Sequence, residues 1–364
     1  MPADPQPHGP SWRGTPLTRR SILAGIAAAG AFLAVDLGAV AYANNWIAPR
    51  SLTRQTFIDG FRTVFGIHPG FRRNHAKGVA VTGFFESNGN GSELSSAAVF
   101  AAGRTPVTGR FSLSGGNPMA ADLPATARGL ALAFGFPGAD QWRTATLNLP
   151  VFPDSSPQGF YDRLLASKAD PATGQPDPGA QARFNAAHPE TVAAMAIIKK
   201  QPATVGFADS TYSSLNTFYF VNDAGVRTPV RWSFVPEQSA SPPAPGGANA
   251  LFDALVRQLR TQPLRWKLLL TVGAAGDPVN DATLPWPADR RVVDAGTLTL
   301  TTAETEAPGN ARDVNFDPLA LPSGIEPSDD PLLSARSAVY AASYRLRSGE
   351  SAAPSAVQVD EVTP

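Results

Sequence analysis

One histidine of this chain stands where it could carry a proton. Residues 71–78 read FRRNHAKG and run directly into the apolar segment VAVTGFF, and His75 is one of only 4 histidines. An imidazole there could accept and return a proton, because its unperturbed pKa lies near neutrality. His75 could equally be a hydrogen-bonded structural residue, and Arg72 with Arg73 a solvated surface pair.

A second candidate pair lies near the C-terminus, in DPLLSARSAVYAASYRLR (330–347), which is rich in helix formers. Arg336 and Tyr340 are four residues apart and therefore share one helical face. A guanidinium beside the phenol would favour the ionised tyrosinate, and tyrosinate is a hard anionic ligand suited to ferric iron. By spacing alone, ordinary helix packing explains the pair as well.

Composition narrows the classes of protein that can hold these residues. The chain has 364 residues, a formal net charge of zero and 43% hydrophobic residues, enough to bury the core of one large or two small domains. The net charge gives no basic surface for nucleic acid, which is therefore not a predicted partner. Cysteine is absent, which excludes disulfides, thiolate-ligated haem and iron-sulfur clusters. Any metal must be held by His, Tyr, Met or carboxylates.

The N-terminal residues 1–47 are predicted to be a disordered leader followed by an export segment. Arg19 and Arg20 precede an apolar stretch, typical of a twin-arginine signal, and Ala41-Tyr42-Ala43 offers a cleavage site. The apolar stretch 22–43 is also long enough to remain as a membrane anchor. Both interpretations place the rest of the chain outside the cytoplasm, either periplasmic or anchored to the cytoplasmic membrane. A buried core helix is the third alternative.

The remaining chain predicts an α+β fold, with an antiparallel β-barrel of about eight strands and surrounding helices in residues 48–348, and a flexible tail in residues 349–364. Helices are expected at 53–66, 160–168, 189–200 and 330–347, and a hairpin around Asp223-Ala224-Gly225. Closing the sheet is the way to bury the edges of so many strands. The apolar runs interpreted as strands are GVAVTGFF, SAAVFA, VTGRFSL, GLALAFGF, WRTATLNLPVF, NTFYFVN, VRTPVRWSFV, WKLLLTV and AGTLTLT.

Taken in order, several motifs resemble those of the haem catalases, over residues 68–347. They are HPG with FRRNHAKG, TGRFSL, TARGLALAF, LNLPVF, FDPLALPSGIEPSDDPLL and RSAVY with Arg347. The resemblance implies haem b as the cofactor and the catalase-type barrel as the fold. It also implies that the chain lacks the C-terminal helical domain of full-length catalases.

On the peroxide side of the haem, the resemblance implies that His75 is the distal histidine and Asn148 the distal asparagine. Ser112 matches the serine that hydrogen-bonds the distal histidine. The implied chemistry is general acid-base cleavage of the peroxide O–O bond by His75, with Asn148 donating a hydrogen bond. His188 also matches the family, and we interpret it as structural.

On the other side of the haem, Tyr340 matches the iron ligand and Arg336 the arginine that keeps it ionised. A further set of arginines matches those that pair with the haem propionates: Arg72, Arg110 and Arg347.

Some residues depart from the family pattern. Phe152-Pro153-Asp154 stands where Phe-Phe-Ile is usual, Thr126 replaces an aspartate, and Asn216 replaces a histidine linked toward the proximal arginine. These changes suggest a wider, differently polarised pocket.

The chain is therefore most similar to the small catalase-related peroxidases. This resemblance implies cleavage of hydrogen peroxide or organic hydroperoxides, oxidation of an organic donor and weak catalase activity. It also implies a monomer or dimer.

Three alternatives remain open from the sequence. The chain could be a true hydrogen-peroxide-dismutating catalase, a non-catalytic anchored haem-binding protein, or a haem-free lipid-binding barrel.

Overall fold

The computed structural model describes residues 52–123, 127–138, 140–243 and 247–362. The ten strands are β1 (Gly78–Ser87), β2 (Gly103–Leu113), β3 (Arg128–Phe134), β4 (Trp142–Leu147), β5 (Tyr212–Ser213), β6 (Phe218–Val221), β7 (Arg227–Pro236), β8 (Leu264–Val272), β9 (Val292–Glu304) and β10 (Ile325–Pro327). The six helices are α1 (Arg54–Phe65), α2 (Pro157–Ala166), α3 (Pro178–Ala187), α4 (Pro189–Lys199), α5 (Ala250–Thr261) and α6 (Pro331–Ser348).

Eight of the strands close an antiparallel barrel. The pairing runs β1-β2-β3-β4-β5-β7-β8-β9 and returns from β9 to β1, while β6 and β10 extend the sheet from the edge of β7. Every pairing is antiparallel, so the predicted eight-stranded antiparallel barrel is confirmed.

Large aromatic side chains fill the barrel interior. The Trp142 ring stacks on Phe134 with centroids 4.8 Å apart and meets Trp232 edge-on at 5.2 Å. Strand residues alternate between the two faces of the sheet, so the residues between these aromatic positions point outward. Each fully buried aromatic side chain contributes roughly 1.5–3 kcal/mol to stability.

Local structure differs from the expected pattern at four places. SAAVFA, predicted as a strand, contains the 3₁₀ helix Ala98–Phe100, and its Phe100 is fully buried against Trp142. Helices α3 and α5 were not predicted. The run predicted as a strand to residue 152 pairs only as far as Leu147. A short apolar run fits a strand or a buried turn equally well, so periodicity does not separate them.

The segment expected to be a flexible tail, residues 349–364, is described by the structure as far as residue 362. Residues 349–362 pack onto the barrel, with Val357, Val359 and Val362 all buried. The Arg260 guanidinium donates to the Val359 carbonyl at 2.7 Å, and the Val359 N–H donates to Thr305 Oγ1 at 2.8 Å. The polar, proline-containing composition suggested disorder, but three valines supply enough apolar surface to anchor the segment.

The predicted leader, residues 1–47, lies outside the described residues. Within the part of the chain that the structure describes, no helix has both the length and the hydrophobicity to cross a bilayer.

Candidate active site

A cavity of about 250 Å³ lies between the barrel wall and helix α6. On the barrel side, the outward positions of two paired strands are small: Gly129 and Ala131 on β3, and Ala145 on β4, which pairs directly with Ala131. Small residues leave this stretch of wall flat. The barrel wall can therefore lie against a planar group.

Helix α6 supplies the other side of the cavity. Its N-cap Asp330 accepts a hydrogen bond from the Leu332 N–H at 2.9 Å, and Pro331 occupies the first turn. Arg336, Tyr340 and Arg347 recur at helical spacing and all line the cavity. At 1.5 Å of rise per residue, Arg336 and Arg347 lie roughly 16 Å apart along the helix axis.

His75 enters the cavity from the loop before β1. Its Nδ1 lies 3.1 Å from Ser112 Oγ on β2, as predicted for these two residues. Its backbone is left-handed, with φ at +54°, a conformation uncommon for residues other than glycine. Burial lowers the pKa of His75 to about 3, and the charges of Arg110, Arg336 and Arg72 add to this effect. The imidazole is therefore neutral at physiological pH.

Gly129 provides the space for this imidazole. A Cβ atom at Gly129 would lie 2.9 Å from Ser112 Oγ and 3.3 Å from His75 Nδ1. Because Gly129 pairs directly with Ser112 across β2 and β3, any side chain there would separate the serine from the histidine.

Asn148 follows the last residue of β4. Its side-chain Oδ1 accepts a hydrogen bond from the Arg128 N–H at 2.6 Å, and its own N–H donates to the Arg128 carbonyl at 3.0 Å. Its neighbours Leu147 and Leu149 line the cavity. The amide is thus fixed by the end of β3, beside the cavity.

The three predicted propionate arginines converge at one end of the cavity. Arg72 donates to the carbonyls of Ala311 and Val314, both at 3.0 Å, and Arg347 donates to the Val314 carbonyl at 3.1 Å. Burial lowers the pKa of Arg72, and it lowers that of Arg347 to about 10; in both cases the nearby charge of Arg110 adds to the shift. Such crowded cations favour an anionic partner.

Glu306 is the one residue of this cluster that the sequence did not indicate. Its carboxylate lies 2.7 Å from Arg110 Nε and 3.1 Å from Arg72 Nη1. Burial opposes its ionisation, but the charges of Arg110 and Arg72 outweigh that effect and lower the pKa of Glu306 to about 2. In the sequence, AETEAPG resembles a solvated loop, and only the pairing of β9 with β1 brings it to the arginines.

Asn216 connects α6 to the barrel. It accepts a hydrogen bond from the Arg336 guanidinium and donates to Asp330 Oδ2 at 2.7 Å. Arg336 also donates to the Ala145 carbonyl at 3.1 Å. Burial raises the pKa of Asp330. Asn216 thus contacts Arg336, the arginine toward which the catalase resemblance directs this position.

The end of the cavity nearest α1 and α2 is aromatic. Phe160 packs against Phe57 and Phe61, each with a ring-centroid distance of 6.1 Å, and stacks on Phe152 at 6.2 Å. The Arg163 guanidinium lies beside these rings and is paired with the buried Asp154 carboxylate at 2.8 Å. Asp154, one of the departures from the family pattern, therefore serves this ion pair.

His188, also noted in the sequence, lies apart from this geometry. The His188 imidazole stacks on Phe184 and lies 2.9 Å from the Glu190 carboxylate, which supports the structural interpretation. Thr126 lies outside the described residues.

Comparison with known proteins decides the family. The family model named Catalase matches residues 70–252, about half of the chain. Over 332 residues the chain is 36% identical to the catalase-related peroxidase of Synechococcus elongatus, covering 88% of this chain and 95% of that protein. The chain belongs to the catalase family. The catalase-related peroxidase of Mycolicibacterium paratuberculosis is 31% identical over 306 residues, covering 82% and 96% of the two chains.

Solved catalases share the fold. A bacterial catalase superposes with a TM-score of 0.67 at 22% identity, covering 76% of this chain and 57% of that catalase. A fungal catalase superposes with a TM-score of 0.66 at 22% identity, covering 77% of this chain and 59% of that catalase. This chain therefore spans less than two thirds of either structure. The predicted family and fold are confirmed, as is the predicted enzyme class of this family, an oxidoreductase acting on peroxide.

The cavity fits the haem that the catalase family implies. The flat wall of Gly129, Ala131 and Ala145 suits a macrocycle, and the arginine end suits its carboxylates. Tyr340 offers a phenol oxygen from the helix side. Among the described residues, no group of three or more His, Asp or Glu side chains could hold a bare metal ion.

Proposed function

We propose that this chain is a haem-dependent peroxidase that cleaves hydrogen peroxide or organic hydroperoxides and oxidises an organic donor, with weak catalase activity. The observation that carries the proposal is a single cavity lined by His75 from the barrel, Tyr340 from α6 and arginines at one end. The names of the two relatives that match most of this chain support the peroxidase assignment. Haem bound there would supply the redox chemistry.

His75 is proposed to move the proton. For Nε2 to accept a proton from the peroxide, Nδ1 must carry its hydrogen and donate it to Ser112 Oγ, 3.1 Å away. The lowered pKa, about 3, keeps the imidazole free to accept. It also makes the protonated ring unfavourable, so the proton is passed readily to the leaving oxygen.

Asn148 is proposed to orient the peroxide. Its Oδ1 is committed to the Arg128 N–H, which fixes the plane of the amide. A fixed amide loses little conformational freedom when it hydrogen-bonds a substrate.

Tyr340 is proposed as the iron ligand, with Arg336 one helical turn before it. Arg72 and Arg347 are proposed to bind the propionates. Haem b is the proposed variant because a chain without cysteine cannot form the thioether bonds of a c-type haem.

The aromatic end of the cavity favours an organic substrate. Phe57, Phe61, Phe152 and Phe160 offer an apolar surface that hydrogen peroxide does not need. An organic hydroperoxide or an aromatic donor would bury apolar area against these rings.

We propose that the protein is exported, on the basis of its N-terminal leader sequence. Arg19 and Arg20 before the apolar stretch favour a periplasmic or membrane-anchored location for residues from 48 onward.

The test compares the purified, haem-reconstituted protein with Tyr340→Phe. We expect the wild type to show a ferric high-spin spectrum of tyrosinate ligation and to oxidise an aromatic donor with peroxide, and Tyr340→Phe to lose both. Tyr219→Phe, on β6 outside the cavity, is the matched control and should retain both. A wild type without bound haem would exclude the proposal. Oxygen evolution without donor oxidation would instead favour a dismutating catalase.

A further inference from the structure

The position of His75 depends on a buried ion pair. His75 has a left-handed backbone, a strained conformation that the surrounding structure must hold in place. The Arg110 guanidinium holds this backbone through two hydrogen bonds. Its Nη1 donates to the His75 carbonyl at 2.8 Å, and its Nη2 donates to the Ala76 carbonyl at 3.0 Å.

Glu306 fixes the other edge of the same guanidinium. Its Oε1 accepts from Arg110 Nε at 2.7 Å and its Oε2 from Arg110 Nη2 at 2.9 Å. This is the bidentate geometry that restricts both partners. Arg110 is 2% exposed, and these four hydrogen bonds engage four of the five N–H groups of its guanidinium with protein atoms.

Gly78 leaves the space through which Arg110 reaches the loop. A Cβ atom there would lie 2.4 Å from Arg110 Cζ and 2.5 Å from its Nη2. The guanidinium therefore lies flat against the backbone at the start of β1. Glu306 thus holds Arg110, Gly78 leaves room for Arg110, and Arg110 holds the backbone of His75.

Arg72 shares the Glu306 carboxylate, at 3.1 Å from its Nη1, but the other hydrogen bonds of Arg72 and Arg347 differ from those of Arg110. Arg72 and Arg347 both donate to carbonyls of the segment 311–314, and neither has a hydrogen bond to the His75 loop among the contacts of the described residues. Their location allows them to serve the edge of the cofactor, whereas the hydrogen bonds of Arg110 lead to the histidine.

We propose that Arg110 and Glu306 are positioning residues for His75, and that Arg110 serves this loop rather than a haem propionate. This inference rests on the proposed function, because it gives a role to His75. Loss of the pair would let the His75 backbone relax from its left-handed conformation. The imidazole would then move relative to Ser112 and to the bound peroxide.

The experiment compares Glu306→Gln, Arg110→Lys and Gly78→Ala in the haem-reconstituted protein. We expect each to slow peroxide cleavage by about 10- to 100-fold, the usual effect of a small misplacement of a reacting group. We expect the affinity of the apoprotein for haem, measured by absorbance titration, to fall by less than about threefold. Arg72→Gln should instead lower the affinity for haem at least tenfold and slow peroxide cleavage by the bound haem less than the other three variants do. Glu304→Gln, at an exposed glutamate two residues before Glu306 at the end of β9, is the matched control.

A second readout separates positioning from general damage. Hydrogen cyanide must release its proton as it binds ferric haem, so its association rate depends on a nearby base. We expect that rate to fall in the three variants along with peroxide cleavage, while the thermal unfolding of the apoprotein stays cooperative. Gly78→Ala keeps both charged residues in the chain but displaces the Arg110 guanidinium, so it tests the geometry if Glu306→Gln fails to fold. Gly78→Ala and Glu306→Gln combined should lose less than the product of the two single effects.

Two results would overturn the inference alone. One is wild-type peroxide cleavage in Glu306→Gln and Gly78→Ala while His75→Asn is impaired. The other is a tenfold loss of haem affinity in Arg110→Lys, equal to that of Arg72→Gln, which would assign Arg110 to the propionates. Unimpaired cleavage in His75→Asn would overturn the proposed function itself, and the inference with it.

Discussion

The barrel side and the helix side of the cavity are built in different ways. On the helix side, Arg336, Tyr340 and Arg347 belong to one element, and helical periodicity alone brings them to one face. On the barrel side, His75 depends on Ser112 and Arg110, and Arg110 depends on Glu306, which lies 196 residues away in the chain. The difference teaches that an ordinary helix can present the proposed iron ligand, whereas the proposed proton-transferring residue needs several distant segments.

His75→Asn should show the largest difference between the two sides, because it should slow peroxide cleavage without releasing haem. Asparagine tolerates the left-handed backbone, so the change removes the imidazole without adding strain. We expect the rate of peroxide cleavage to fall by about 10²–10⁴-fold while haem remains bound. Tyr340→Phe should lose the haem itself. His188→Asn is the control, and retention of full activity in His75→Asn would remove the distinction between the two sides.

The pH dependence of stability should also originate on the barrel side. The unfolded chain protonates His75 near pH 6.5, whereas burial and nearby arginines lower its pKa to about 3 in the folded protein. The unfolded state therefore binds the extra proton, and the free energy of unfolding should fall as the pH decreases from about 6.5 to 3.

The expected slope is at most about 1.4 kcal/mol per pH unit. Urea unfolding of the apoprotein measures it, and His75→Asn should flatten the dependence in that window. An equal slope in the variant would assign the effect to another group. Glu306 adds to the slope only at lower pH: its pKa is about 2 in the folded protein, and the unfolded chain takes up that proton near pH 4.3. The contribution of His75 is therefore measured between about pH 6.5 and 5.

On the helix side, Asn216→Ala should lower stability. The variant leaves the Asp330 carboxylate and the Arg336 guanidinium without the amide that bridges them. We expect a loss of about 1–3 kcal/mol in the free energy of unfolding, measured in urea. Asn90→Ala, at an exposed asparagine, is the control. An unchanged free energy would show that Arg336 is held without the Asn216 amide, for example by its hydrogen bond to the Ala145 carbonyl.

The smallest expected effect is that of Ser112→Ala. It removes one hydrogen bond to His75 Nδ1, for which we expect a cost of about 0.5–1.5 kcal/mol. The rate of peroxide cleavage should therefore fall by roughly 2- to 10-fold. The exposed Ser96→Ala serves as the control. A loss as large as that of His75→Asn would mean that the serine does more than orient the ring.

Much of the site could be predicted from local sequence. Phe57 and Phe61 in α1, like Arg336 and Tyr340 in α6, follow from a 3.6-residue period. The alternation of small and large residues along β3 separates the cavity wall from the barrel core. Asn148 and Ser112 were recognisable only through the catalase-like motifs around them.

Other parts were not predictable from the sequence. SAAVFA is apolar enough for a strand, yet forms a turn because Phe100 packs among the core aromatics. The segment 349–362 is polar overall, yet three valines anchor it. In both cases the deciding contact comes from residues far away in the chain.

The sequence by itself determined the periodic elements, the lack of any thiol chemistry and the order of the family motifs, because these depend on neighbouring residues or on composition. Only the tertiary structure decided that Glu306 meets Arg110, and that Arg110 holds the backbone of His75. The physical reason is that strand register brings these charges together, and no local pattern encodes which strand lies beside which.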